Sequence, residues 1–306
     1  MNKTVFEKPA LAPIWQHIRR KNLAEAEELL RSRENYCVAA CSRFLNRSKT
    51  KDKVWLLKNK EEKPLAIIVY SMLNLMPVFC GQKEIPPQKF LRNFFSLLPV
   101  HSVQGLLDDV IILEKSLEAL GMKNSEKIDY NLMYLDKLPA DINFTLGNKD
   151  DLKKIRWPQG LVLRVPKYTD MDELAVLQAG YEKEEVLPKG AEFNPAVSRL
   201  NMEKLLKNQQ VLAAELNGRL VGKINTSGVS FTRFQVGGVY VEPNYRGLGI
   251  AQCMTHAFVK SLLLQQKGIS LFVRKSNTAA NTVYRKLGFE FLADYRISYY
   301  QEYEKN

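Results

Sequence analysis

VYVEPNYRGLGIAQCM, residues 239–254, changes character halfway along. Val239 and Val241 close an alternating, strand-like run that stops at Pro243. Gly247 and Gly249 follow, one residue apart, and an amphipathic stretch begins at once. A strand therefore gives way to a tight glycine turn beside Arg246, and the turn to a helix. The first amides of a helix lack partners and carry partial positive charge, so they bind phosphate without side-chain help. Glycines permit positive φ and let an anion approach the backbone closely. The stretch reads as a pyrophosphate cradle to which Arg246 adds charge; the plainer alternative is a connection that only needs flexible residues.

Two familiar phosphate loops do not fit. A nucleotide P-loop ends in Gly-Lys-Ser/Thr, whereas Gly249 is followed by Ile250 and Ala251. A dinucleotide fingerprint wants a third glycine where Gln252 stands, and it follows the first strand of a βαβ unit. Here the preceding strand follows a hairpin, signalled by Asn217-Gly218 between two apolar runs.

Working outward, residues 160–165 read as a strand, followed by a helix that Thr169 or Asp170 caps. After residue 250 the pattern alternates: helix to about 266, strand 269–274, helix 278–287, strand 290–300, with Gly268 and Gly288 where helix-ending glycines belong. The first half carries a helical period over 22–45 and strand-like runs at 54–58, 65–71 and 75–80. A helix opened by Pro86-Pro87, a helix over 106–121 ending at Gly121, and a strand over 128–136 complete it. Residues 137–158 hold neither period for long. The expected organisation is an N-terminal α/β domain (1–140), a connecting segment (141–158) and a mixed α/β domain (159–306).

The pattern Arg246-Gly247-Leu248-Gly249-Ile250-Ala251, followed by Asn277, Ala280, Tyr284, Leu287, Gly288 and Phe289 at family spacing, resembles the GNAT superfamily of N-acetyltransferases over roughly residues 160–300. The resemblance implies a GNAT-like mixed sheet with flanking helices in this half. It implies acetyl-CoA as cosubstrate, its pyrophosphate on the amides of residues 246–251. The strand Val239-Tyr240-Val241 would pair with the pantetheine arm, splayed by a bulge from the strand at Phe272 to open a V-shaped slot. Asn277 would bond the pantetheine, Asn281 would lie near it, and Tyr284 would bind there as the general acid for the departing thiolate.

Residue chemistry supports those types. Acyl transfer from a thioester needs a neutral amine, a donor for the developing oxyanion and a proton for the thiolate. A phenol with pKa about 10 gives that proton late, and a main-chain N–H near Val241 can serve the oxyanion. Asn277 can equally be an N-cap, and Tyr284 core packing. Cys253 and His256 read as structural. The general base is left open between Glu242, which follows the strand, and Glu184 and Glu185, near the acceptor side; bound water is a further option. The first half echoes the same outline without the arginine–glycine pattern, and residues 100–110 offer Asp108 and Asp109 at what reads as the comparable helix start. It is therefore expected to be a degenerate GNAT-like domain, the alternative being an unrelated α/β cap, and the chain to bind one acetyl-CoA.

Composition bounds the rest. Of 306 residues, 45% are apolar and 25% charged, as in a globular chain with real cores. The net charge of +12 is spread over both halves, so nucleic acid is not an expected partner. No run reaches the roughly 18 apolar residues of a membrane span. Four cysteines without zinc-ligand spacing point to a reduced, cytoplasmic setting and no metal. The expected partners are acetyl-CoA and an amine acceptor, a small molecule or a protein amine; a non-catalytic acyl-CoA sensor is the alternative.

Overall fold

The computed structural model describes residues 14–59, 61–81, 98–140, 143–145 and 154–300. By packing the chain divides into two units that interleave in sequence: Met1–Ile128 with Tyr295–Asn306, and Asp129–Asp294. A division at 140 and 159 describes sequence order; packing places residues 129–140 in the second unit and 295–306 in the first.

The first unit runs β1 (Ile14–His17), α1 (Leu23–Ser32), α2 (Val38–Asn46), β2 (Lys53–Lys58), β3 (Pro64–Ser71), β4 (Asn74–Val78), β5 (Ser102–Leu106) and α3 (Leu107–Glu118) into the start of β6 (Asn124–Leu135). Strands β1 to β4 pair antiparallel in sequence order, and β4 pairs parallel with β5. β5 then takes the C-terminal strand β14 (Glu290–Tyr300) antiparallel, Leu106 opposite Tyr295 and Ser102 opposite Tyr299. The helical period expected over 22–45 resolves into two helices. Glu34-Asn35-Tyr36 form a 3-10 turn between them, in a run without strong helix formers beyond the glutamate. Gly121 ends α3 as expected: at φ +83 its amide bonds Glu118 and that of Met122 bonds Leu117, the two bonds of a Schellman cap. The helix expected after Pro86-Pro87 lies outside the described residues over most of its length.

The second unit continues from Asp129 in β6. The expected connecting segment carries two three-residue strands, β7 (Asn143–Thr145) and β8 (Lys154–Arg156), paired parallel. Then come β9 (Leu161–Arg164), α4 (Met171–Tyr181), a π-helical turn (Glu182–Val186), α5 (Pro195–Asn208), β10 (Val211–Leu216), β11 (Arg219–Val229), β12 (Arg233–Val241), α6 (Ile250–Leu263), β13 (Gly268–Arg274) and α7 (Thr278–Lys286). The sheet order is β9-β10-β11-β12-β13-β6, with β12–β13 parallel and the other pairs antiparallel. Val236, Ile250, Phe258, Leu271 and Leu287 belong to one buried cluster, so α6, α7 and the sheet share a core.

Local signals mostly hold. Asn217 (φ +53) and Gly218 (φ +81) form the expected two-residue hairpin turn. Gly288 (φ +87) ends α7, its amide on Arg285 and that of Phe289 on Tyr284. Two readings need correction. Gly268 does not end a helix: Gln266 takes the left-handed φ (+58), and Gly268 opens β13, where a Cβ would stand 2.6 Å from both Arg233 Nη1 and Asp136 Oδ1. Asp170 stands at the start of α4 without capping it, because its carboxylate is spent on Arg164 and on the Lys167 amide.

Both units follow one order: strand, two helices, three antiparallel strands, a strand parallel to the third, a helix, a last strand. This corrects a correspondence drawn from sequence. β5 into α3 matches β13 into α7, so residues 100–110 are the counterpart of 268–280. The counterpart of the 246–251 turn follows β4, from Phe79 onward. The last strands are exchanged: β6 lies beside β13, and β14 beside β5.

Candidate active site

The site begins where β12 and β13 part. They pair only at Arg233–Gly268, Phe234–Ile269 and Gln235–Ser270. On its other side β12 skips register against β11: Asn225 faces Gly237, but Lys223 faces Tyr240. The extra residue is a bulge that bends β12 away, and Gly238 within it holds φ +60. Only glycine fits there, since a Cβ would run into the Asn225 side chain. A V-shaped gap thus opens between β12 and β13, as the resemblance implies.

At the far end of β12 the chain makes a 3-10 turn (Pro243–Tyr245) and enters α6 through Gly247 (φ +78) and Gly249 (φ +86), the latter its N-cap. A Cβ at Gly247 would meet nothing within 4 Å, so backbone conformation rather than crowding selects glycine, and the surface is open to a ligand. Ile250 is buried and Leu248 and Ala251 pack on the same core, which fixes the direction of the first helical amides. Arg246 donates from Nε to the Val241 carbonyl (2.9 Å) and from Nη2 to both Glu184 oxygens (2.9 and 2.7 Å). Val239 packs partly buried on the core, and Tyr240 donates to Glu184 (3.2 Å).

The opposite wall is built by β13 and α7. Asn277 caps α7, accepting from the Ala280 amide (3.0 Å), the N-cap role open to it in sequence, while its Nδ2 donates to Glu185 (2.9 Å). Asn281 donates to the carbonyls of Arg274 and Asn277 and accepts from Asn131 (2.8 Å), so it locks the β13–α7 corner. Tyr284 is buried, in edge contact with Phe289 (5.7 Å). Burial, then Tyr181 and Glu185, push its pKa well above that of an ordinary phenol. Its hydroxyl makes no hydrogen bond among the described residues, which leaves a proton held and undelivered.

Of the carboxylates, Glu242 turns to Arg219 (2.7 and 3.0 Å) on the hairpin rim. Glu184 and Glu185 lie on the π-helical turn, one on Arg246, the other on Asn277 and beside Arg274 (3.4 Å). Cys253 and His256 are buried in α6; burial pushes the thiol up to about 12 and the imidazole below its ordinary value.

Sequence reading missed two buried residues beside the Gly238 bulge. Tyr181 ends α4; burial pushes its pKa up to about 12, against a weaker opposing pull from the Gly238 backbone. Lys223, on β11, is fully buried, its Nζ bonded to the Gly238 carbonyl (3.0 Å) and Asn225 Oδ1 (3.1 Å) and 4.8 Å from the Tyr181 ring centre. Burial lowers its pKa to about 7, against a weaker opposing pull from Glu182. A lysine inside the apolar and small-residue run Leu220–Ile224 was the available signal.

The model of the acetyltransferase (GNAT) domain matches residues 177–298, a span that holds the gap, the glycine turn and α7. A search of curated proteins finds no match to the chain. Among solved structures, a Drosophila protein superposes with a TM-score of 0.64 at 10% identity, covering 94% of this chain and 99% of its own. A tandem GNAT protein from the clavulanic acid biosynthesis pathway gives 0.56 at 11%, over 94% and 98%. An acetyltransferase of the GNAT family from Colwellia psychrerythraea gives 0.53 at 11%, over 94% and 99%. At such identities these likenesses speak for the fold. The family model, with the parted strands, the bulge and the glycine-led helix inside its span, identifies residues 177–298 as a GNAT acetyltransferase domain.

Proposed function

We propose that the chain is an acetyl-CoA-dependent N-acetyltransferase that moves an acetyl group to a primary amine. The observation that carries this reading is the parting of β12 from β13 beyond Gln235, next to the Gly238 bulge, with the N-terminus of α6 following β12 in the chain. A gap between two strands offers unpaired main-chain groups to an extended, amide-bearing arm, and a helix N-terminus beyond it suits a pyrophosphate.

In this reading residues 246–251 hold the pyrophosphate, and Val239, Tyr240 and Val241 present main-chain groups to the pantetheine. Asn277 offers Nδ2 to the arm once Glu185 yields it. Asn281 acts behind it, keeping the β13–α7 corner in place. Tyr284 keeps its proton until the thiolate forms and then gives it up, which late proton transfer to a poor leaving group requires. Glu242, tied to Arg219, is set aside as a base.

The test is Gly249→Glu, which puts a side chain and a negative charge where the pyrophosphate would sit. Coenzyme A should raise the melting temperature of the wild type and not of the variant, while the unliganded variant stays folded. Undiminished stabilisation of the variant would remove the cradle. Labelled acetyl-CoA offered with a panel of primary amines then separates transfer from mere binding, the behaviour of a sensor.

A further inference from the structure

At the Gly238 bulge, where β12 turns away from β11, one buried basic nitrogen has no acidic partner among the described residues. Lys223 extends from β11 on the face that carries Tyr240, its register partner, and lies wholly buried beneath α4. No carboxylate stands within ion-pair distance of it among the described residues. The groups that face it can be named: Tyr181 from α4, Glu182 from the π-helical turn, Tyr240 and the Gly238 carbonyl from β12, Asn225 from its own strand, and uncharged Ala213 opposite on β10. Glu182 is held by Gln178 (2.8 Å) and Asn201 (3.0 Å), and Tyr240 donates to Glu184.

The hydrogen bonding of Nζ suits an amine better than an ammonium ion. A neutral amine has two N–H groups and one lone pair. Two carbonyl oxygens, on Gly238 and Asn225, accept those two N–H groups, and no third acceptor is provided. The lone pair is left over. An isolated buried ammonium is costly, and the same burial accounts for the depressed pKa. Once a proton arrives, the Tyr181 ring at 4.8 Å offers its face to the charge.

The three carboxylates that sequence nominated are otherwise committed. Glu242 is on Arg219, Glu184 on Arg246 and Tyr240, Glu185 on Asn277 and Arg274. Lys223 instead touches the bulge itself, bonding the Gly238 carbonyl, and the amide of that same residue is a natural donor to a thioester oxygen.

We infer that Lys223 is the general base of the transfer, a role that rests on the acetyltransferase reading above. The acceptor nitrogen forms a bond to the thioester carbonyl carbon and gives its proton to the Lys223 lone pair. The carbon–sulfur bond breaks, and the thiolate takes the Tyr284 proton. Lys223 leaves as an ammonium and Tyr284 as a phenolate; solvent carries the proton from one to the other, so that amide and free thiol are the only net products.

Two measurements on the full chain test this. Lysine labelled with carbon-13 gives one Cε resonance per lysine, and the signal absent from Lys223→Met is that of Lys223. It should titrate near 7 and shift when acetyl-CoA is added; titration near 10, as for a surface lysine, overturns the inference. The second measurement is kcat against pH, with acetyl-CoA and whichever amine of the panel the wild type acetylates fastest. The wild type should show activity rising through about pH 7, and Lys223→Met should lose that limb with a roughly 100-fold or greater fall in kcat. Its KM for acetyl-CoA should hold, and Lys223→Arg, which keeps its proton across this range, should lack the limb as well. An unchanged limb in Lys223→Met, or a loss confined to coenzyme A affinity, makes the lysine a strut for the bulge and overturns the inference. Failure of coenzyme A to stabilise the wild type is a separate result and would count against the acetyltransferase reading.

Discussion

Tyr284 and Lys223 face one problem from opposite sides: burial disfavours the charged form of each, so the phenol keeps its proton and the amine sheds one. Removing only the phenol oxygen in Tyr284→Phe preserves the edge contact with Phe289. We expect kcat to fall roughly 100- to 1000-fold with coenzyme A affinity unchanged; steady-state kinetics with a good acceptor decide it, and retained kcat would leave the tyrosine a packing residue. Lys223 also makes a prediction about stability. Its pKa is lowered from 10.5 to about 7 on folding, so between those values the unfolded chain binds a proton that the folded chain does not. Stability should therefore rise with pH across that window, by at most about 1.4 kcal/mol per unit, and be flat below it. Thermal melts at pH 7 and 9 should show that dependence in the wild type and a weaker one in Lys223→Met. Sequence made Asn277 and Tyr284 legible because a spaced pattern on one helix needs no knowledge of distant strands. It could not reveal Lys223 or Tyr181 as members of the site, since their meeting depends on a bulge in β12 that brings the Gly238 peptide groups to both.

Among elements, the turns legible in sequence were those whose chemistry is confined to two or three residues: Asn217-Gly218, the caps at Gly121 and Gly288, and the glycines before α6. Elements decided by tertiary contact were not. The break at 34–36 has no proline or glycine to mark it, and the π-helical turn at 182–186 is tied through its middle, Glu184 to Arg246 and Glu185 to Asn277. Gly268 was misread because a glycine after a helix looks like a cap, whereas this one makes room for the Arg233–Asp136 pair (2.7 Å). The bulge of β12 is the element on which the gap depends. Gly238→Ala combines a left-handed φ with a collision against Asn225. We expect it to cost about 1–3 kcal/mol of stability and to abolish coenzyme A binding, read by melting temperature with and without the ligand. Gly247→Ala, strained in φ but unobstructed, should cost less; equal losses would mean that the collision contributes nothing.

For the whole molecule, two units of like order raise the question of how many acyl-CoA molecules one chain takes. In the first unit the buried Asp109 carboxylate accepts the Phe79 amide (3.1 Å), just past the end of β4. That amide is the kind of donor a thioester arm would need, and the carboxylate beside it repels a pyrophosphate. We therefore expect calorimetric titration to give one coenzyme A per chain and none for Gly249→Glu; a site that survives the mutation would place a second one in the first unit. The likeness of the two halves was visible in sequence as an outline, but the exchange of last strands was not, because nothing local in 124–135 or 290–300 says which sheet will receive it. That exchange governs how the protein is made. β5 waits for a neighbour that lies about 190 residues further along the chain, Leu106 for Tyr295. At about 5–20 residues per second, a ribosome delivers that strand some 10–40 s later. Until then the growing polypeptide carries an open strand edge, the kind of surface that recruits other chains. Synthesis of this protein should thus pass through a window of aggregation and chaperone dependence that closes only once β14 has left the exit tunnel.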